Sequence, residues 1–499
     1  MRRVIYSHPY LYLLGSLLFL YSAAATIASP DQIVRPLTLL GLLVFVLLRL
    51  ASRWSNDGTA AFLLSISVLS ICSGISFFIT SGVLSLIVVF LTWSVARYRR
   101  RRMTMTHANV LLTLVSASLV ATLAVPYVRI LSTLSKRPGI PPVAAAAIKP
   151  MGEPRDIYFI VLDGYGRADV LDDLYGFDNS QFIQFLESRG FFVPAASRSN
   201  YAKTVLSVTS TLNMDYIDSL QPSVDYHRYW WLASPHLNHS RVRSALERIG
   251  FLSVSVATGW NLTSNNTSDI YLSTRRFALN DFETFLVAKT PLRTLKPTLE
   301  RFGVEADYDS HRAAILYTLE TLAKIAPLPT PKFVFAHVFA PHPPFVFDAA
   351  GGSVQPTYPF GFDDANLFPL STSAYRDGYV GQVGFVNNKL MSIVDAILLH
   401  SKTPPIIILQ GDHGPRMFGD FLSHQRTCLK ESFATFSAYL VPGAPKDLIP
   451  STVSAVNIFR IIFNHYFNAS FRLLESKNFY DDARGMVDVT EYVDSCSRE

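Results

Sequence analysis

Residues 157–164 read Ile-Tyr-Phe-Ile-Val-Leu-Asp-Gly (IYFIVLDG). The unbroken apolar run predicts a strand covered on both faces, and Asp163-Gly164 places a carboxylate at its C-terminal end. Two runs further along have the same build, 333–338 (FVFAHV) and 406–409 (IIIL), and each closes on polar residues. Helical patterns at 180–188, 309–325 and 386–400 lie between them. Strands alternating with helices predict a doubly wound, mostly parallel sheet, a fold whose ligands sit outside the carboxyl ends of the strands.

The residues at those ends are Asp163, the stretch from His337 to His342, and Asp412-His413. They offer the oxygen and nitrogen donors that suit a hard or borderline divalent cation such as manganese or zinc. A lone Asp-Gly after a strand is ordinarily a turn. What lifts these residues is that they close separate strands of one predicted sheet, which would bring them together. A nucleophile is offered by Thr204, which precedes an apolar-periodic run at 205–212 and so stands at or near a helix N-cap. The position fits an ordinary capping threonine. It also fits an alkoxide stabilised by metal and helix dipole for attack on phosphorus. Lys203 and Asn200 flank it, and Arg416 follows His413 as a phosphate partner.

Working outward to the N-terminus, the composition changes. The chain has 499 residues, 16% of them charged, and a formal net charge of +6. Residues 1–135 hold eleven Arg, no Lys and no Glu, with only Asp31 and Asp57 as acids, a net of +9 that leaves −3 for the rest. Five apolar stretches, at about 10–28, 33–48, 60–79, 82–96 and 109–128, predict a five-helix transmembrane anchor. The second and fourth need flanking residues or a thinned bilayer to cross. Ala23-Ala24-Ala25 also offers a signal-peptide cleavage site after the first stretch. Arg2, Arg3, Arg49, Arg53 and the cluster from Arg97 to Arg102 occupy alternate ends of the spans, so the N-terminus is expected inside and everything after the fifth span outside. The basic balance is thus no sign of nucleic-acid binding. The expected organisation is a transmembrane domain over 1–131, a Pro- and Ala-rich linker over 132–155 and an extracytoplasmic catalytic domain over 156–499. Cys428 and Cys496, both outside, are available to pair in an oxidising compartment. Trp260, after the strand-like run 251–256, is expected in the core.

The order Asp163, Thr204, His337 and His342 in FAHVFAPHPPF, then Asp412-His413-Gly414, resembles the alkaline phosphatase/sulfatase superfamily. Five spans before an exported domain resemble its membrane-anchored branch, the lipoteichoic acid synthases and phosphoethanolamine transferases. That resemblance implies a sulfatase-like catalytic fold over roughly 155–445 with Thr204 as the nucleophile that becomes phosphorylated. It implies one divalent metal, manganese or zinc ahead of calcium or magnesium, held by Asp163, Asp412, His413 and Thr204. His337 and His342 would touch the transferred phosphate or a second metal, and Lys203, Asn200 and Arg416 the substrate. Two departures stand out: Asp163 replaces a frequent Glu, and KTVLSV at 203–208 lacks the C/S-x-P-x-R pattern of true sulfatases.

The implied function is a phosphotransferase of the plasma or inner membrane. It would carry a phosphoglycerol- or phosphoethanolamine-type head group from an exported phospholipid donor to a cell-envelope glycan acceptor. Two alternatives stay open, a phosphoric or sulfuric ester hydrolase of the same superfamily and a catalytically retired membrane-bound binding protein.

Overall fold

The computed structural model describes residues 7–24, 28, 30–53, 64–65, 68, 105–135, 148–220, 230–273, 281–290, 308–329 and 331–496. The chain divides into two compact units, Met1–Arg137 with Phe277–Glu305, and Pro138–Arg276 with Ala306–Glu499.

In the first unit, α1 (His8–Ala24), α2 (Val34–Ala51) and α3 (Met105–Ser135) pack together. Among the described residues one helical stretch, Pro30–Ala51, is long and apolar enough to cross a membrane, and Asn109–Val125 is apolar but shorter. This stretch runs past the second expected span, 33–48, at both ends. The third and fourth lie almost wholly outside the described residues. Leu39, Leu42, Leu43 and Phe45 of α2 and Leu114, Val125 and Val128 of α3 are exposed, an apolar surface that water would penalise and hydrocarbon would not. Polar contacts join segments distant in sequence. His8 bridges Asn109 Oδ1 (2.7 Å) and Ser65 Oγ, and Tyr127 donates to the Pro30 carbonyl (2.9 Å). The short helix Asp281–Lys289 belongs to this unit, where Glu283 pairs with two Arg35 nitrogens, Nε at 2.6 Å and Nη2, and the Phe282 N–H donates to Gln32 (3.0 Å).

The second unit is built on a six-stranded sheet. Its strands are β1 (Ile157–Asp163), β2 (Leu252–Val256), β3 (Ile270–Leu272), β4 (Lys332–Pro341), β5 (Ile406–Gly411) and β6 (Ser437–Leu440), in the order β3-β2-β4-β1-β5-β6. All neighbours are parallel except the antiparallel pair β5–β6. A two-stranded hairpin, β7 (Phe479–Asp482) with β8 (Gly485–Asp488), lies apart.

β1 is buried along its whole length because both faces are covered, as its unbroken apolar run requires. Tyr158, Ile160 and Leu162 point into one core with α4 (Ser180–Ser188), α6 (Tyr308–Leu322) and α7 (Thr372–His400). Ile157, Phe159 and Val161 point into the other with α5 (Thr204–Asn213) and α8 (Ile458–Tyr466). The expected doubly wound sheet is therefore present. α7 is a departure from expectation, since it starts at Thr372, fourteen residues before the periodic pattern at 386–400. Cys428 and Cys496 are joined as a disulfide, which ties the C-terminal segment to the loop before β6.

Register places the site. β1 lies between β4 and β5, with Val161 opposite His337 and Leu162 opposite Gly411. A shift between Leu162 and Asp163 then sets Asp163 opposite Pro341, and the His342 N–H donates to the Asp163 carbonyl (2.9 Å). The three strand ends deliver their polar residues to one edge.

Candidate active site

Asp163, His337, His342, Asp412 and His413 converge at that edge, and all are buried. His337 Nε2 lies 3.1 Å from Asp163 Oδ2, and His413 Nε2 lies 3.3 Å from Asp163 Oδ1 and 3.6 Å from Asp412 Oδ2. Asp412 Oδ1 accepts from the Gly164 N–H (3.0 Å). Gly164 adopts a left-handed φ of 72°, which favours glycine at this turn.

The histidine tautomers follow from their partners. His413 Nδ1 faces the Gly414 carbonyl (2.8 Å) and His342 Nδ1 the Pro343 carbonyl, and a carbonyl only accepts. Each Nδ1 therefore carries a hydrogen, and each ring turns Nε2 toward the cluster. His337 is oriented by Thr263 Oγ1 at 2.8 Å from its Nδ1. Burial alone would raise the Asp163 carboxyl, but His342, then His337 and His413, outweigh it and hold Asp163 well below the usual carboxylate range. For His413, burial and Arg416 push the imidazole down, while Asp412 and Asp163 prevail and raise it.

The cluster has a set of buried atoms that ordinary folding leaves satisfied. Both Asp163 carboxylate oxygens, His337 Nε2 and Asp412 Oδ2 have no hydrogen-bond partner. Two ligand triads share Asp163, namely Asp163 with His342 and His413, and Asp163 with His337 and Asp412, the ligand atoms of each lying within 4.8 Å of one another. A divalent cation satisfies such a donor set, and its oxygen and imidazole composition fits zinc or manganese.

Thr204 is the first residue of α5, after Lys203 in an extended conformation, and is 7% exposed. Its hydroxyl lies 3.2 Å from His413 Nε2. It thus stands at the helix end whose first-turn N–H groups have no intrahelical acceptor.

The expected substrate contacts have other partners. Lys203 Nζ pairs with Asp481. Asn200 accepts from the Val456 N–H (2.8 Å) and donates to the Lys477 carbonyl (2.8 Å), so its amide is held by backbone. Arg416 is buried, bonded to Asp364 (2.9 Å) and to the Ala202 carbonyl, while its Nε has no partner.

Asp364 went unread in the sequence. It is buried, lies 3.4 Å from His342 Nε2, and accepts from Arg416, Tyr375 (2.8 Å) and the Ala365 N–H (2.8 Å). Burial raises its carboxyl, but His342 and Arg416 prevail and lower it. Trp260 corrects a core expectation. Following β2, it emerges at the same edge as the site, half-buried, with its ring stacked on Phe339 (centroids 5.6 Å apart), which in turn stacks on His342 (5.1 Å).

No family model matches the chain, and no curated protein matches it. Among solved structures it is similar to the C-terminal periplasmic domain of EcEptC from Escherichia coli in complex with Zn. That likeness has 11% identity and a TM-score of 0.44, covering 72% of this chain and 100% of that one. It is also similar to the integral membrane lipooligosaccharide phosphoethanolamine transferase A from Neisseria meningitidis (13%, TM-score 0.37, 83% of this chain and 69% of that one). A third likeness is to the phosphonate monoester hydrolase of Agrobacterium radiobacter (13%, TM-score 0.37, 66% and 80%).

Proposed function

We propose that this chain is a membrane-anchored, metal-dependent phosphotransferase of the alkaline phosphatase/sulfatase type. It moves the phospho-head group of an exported phospholipid to a cell-envelope glycan through a phospho-threonine at Thr204. The observation that carries the reading is the Thr204 hydroxyl, at a helix start and 3.2 Å from His413 Nε2, beside buried carboxylate oxygens that lack hydrogen-bond partners.

Asp163, Asp412 and His413, with Thr204, would hold a divalent cation, whose Lewis acidity favours the threonine alkoxide and the charged phosphate oxygens. Thr204 Oγ1 attacks phosphorus, forming a P–O bond as the bond to diacylglycerol breaks. The first-turn N–H groups of α5 stabilise the non-bridging oxygens. The proton that Thr204 gives up passes through His337 or His342 to the leaving diacylglycerol oxygen. A sugar hydroxyl then attacks the phospho-threonine, its proton returns through the same histidine to Oγ1, and Thr204 leaves as the hydroxyl it began as.

The anchor rests on the apolar, exposed surfaces of α2 and α3 and on the alternation of Arg clusters. With the N-terminus inside, the catalytic unit is extracytoplasmic, and the Cys428–Cys496 disulfide suits such an oxidising compartment.

Membrane protein loaded with zinc or manganese and given phospholipid labelled in its head group tests the reading. The label should move to glycan while diacylglycerol accumulates, and Thr204→Ala should do neither. Label released into water would make the chain a hydrolase. Stoichiometric metal with no turnover of any phospholipid would contradict the proposal.

A further inference from the structure

Tyr375, Tyr379 and Gln382 follow one another on α7 at spacings of four and three, which puts them on one face of the helix. All three are buried, and each both donates and accepts a hydrogen bond. The Tyr379 hydroxyl donates to the Gly164 carbonyl (2.9 Å) and accepts from the Gly166 N–H (3.0 Å). Gln382 donates through Nε2 to the His342 carbonyl (2.9 Å) and accepts through Oε1 from the Val346 N–H (2.8 Å). The Tyr375 hydroxyl donates to Asp364 Oδ1 (2.8 Å) and accepts from the Arg416 N–H (3.1 Å).

Each side chain therefore grips a different loop of the site. One takes the turn after Asp163, one the segment that carries His342, and one the Asp364–Arg416 pair. The segments come from four separate places in the sequence, 164–166, 342–346, Asp364 and Arg416, and the hydrogen bonds of this helix face are common to them. Phenylalanine in place of either tyrosine would fill the same core volume, so packing alone does not account for the hydroxyls. A buried loop N–H left without an acceptor is destabilising, so each bond restrains its loop.

We propose that this face of α7 is the positioning element of the metal centre, with Tyr379 and Gln382 fixing Asp163 and His342 at the separation that metal binding needs. The inference rests on the metal-centre reading above. Groups that orient ligands from behind in this way characteristically change metal affinity or activity by about 10- to 100-fold when removed.

Tyr379→Phe removes the hydroxyl and keeps the ring, which packs 4.7 Å from Tyr175. Gln382→Met keeps the length of the side chain and removes both bonds. Zinc binding by equilibrium dialysis on the full chain in detergent should weaken about 10- to 100-fold in each variant. For phospholipid turnover kcat should fall with KM near its original value, and the metal-free melting temperature should fall by no more than the few degrees that one unsatisfied buried N–H costs. Asp163→Asn separates the two readings. If it loses zinc while Tyr379→Phe and Gln382→Met bind as tightly as the parent, the positioning role is overturned and the metal centre stands. If Asp163→Asn binds zinc as the parent does, the metal centre itself is overturned. Hydrogen exchange on the unaltered chain gives a reading that needs no variant. The Gly166 and Val346 amides should exchange as slowly as the amides of β1, and exchange at the rate of an open loop would overturn the proposal.

Discussion

Asp163 was legible from sequence because a buried strand has to end, and the first polar residue after an all-apolar run falls at the sheet edge where α/β folds bind ligands. The same logic found His337, His342, Asp412 and His413. It could not find Asp364, which stands after Gly361-Phe362-Asp363 in a loop without periodicity and meets His342 and Arg416 only through tertiary folding. Glu431 was missed for the same reason. Fully buried, it accepts from Tyr175, from the Met417 N–H (3.0 Å) and from the Phe418 N–H (2.9 Å), and so shapes the loop after Arg416. Burial pushes its carboxyl up to about 8. In an unfolded chain a glutamate ionises near pH 4.3, so between these values the folded state keeps a proton that the unfolded state releases. Stability from this group is complete below about pH 4.3 and is lost as pH rises to about 8. Glu431→Gln lacks this loss. Its stability relative to the parent should rise by up to about 4 kcal/mol between pH 5 and pH 8, as read by chemical denaturation at the two pH values. A difference that stays flat or falls would contradict the buried, protonated carboxyl.

At the scale of elements, the strands were easier to read than the longest helix. β1, β4 and β5 announce themselves as apolar runs, and α4 falls at 180–188 as the pattern predicts. The first half of α7 is hidden because Gly378, Gly381 and Gly384 have poor helix propensity and its inward face carries Tyr375, Tyr379 and Gln382 in place of aliphatic residues. The glycines have a steric reason. A Cβ on Gly378 would overlap the Phe345 ring, and one on Gly384 would come 3.0 Å from Ala349 Cβ, so the segment after His342 lies directly against the helix. Gly378→Ala sets a gain of up to about 1 kcal/mol in helix propensity against overpacking of about 1–3 kcal/mol. The net expectation is a loss of about 1 kcal/mol in denaturant unfolding, with reduced turnover because the His342 segment is displaced. A stabilised and fully active Gly378→Ala would show that the close approach has no role in the site.

Across the whole molecule, the proposed orientation rests on the +9 of residues 1–135 against the −3 of the remainder. The alternation of Arg clusters could be read because charge asymmetry is a property of composition and does not depend on packing. The grouping of Phe277–Glu305 with the first unit could not, since it rests on pairings such as Arg35–Glu283 between residues far apart in sequence. Reporter fusions ending within Arg97–Arg102 should be active only on the cytoplasmic side, and fusions ending after Ser135 only on the outside. The reverse pattern would overturn the topology and with it the choice of an exported lipid. The central claim is chemical, that Thr204 carries the group in transit, and the most direct measurement is peptide mass spectrometry of the metal-loaded enzyme quenched during turnover of phospholipid. A substituted phosphoryl group on the peptide containing Thr204, lost when metal is stripped and absent from an inactive Thr204→Ala, is the predicted result. Modification of a different peptide, with Thr204→Ala still active, would contradict it.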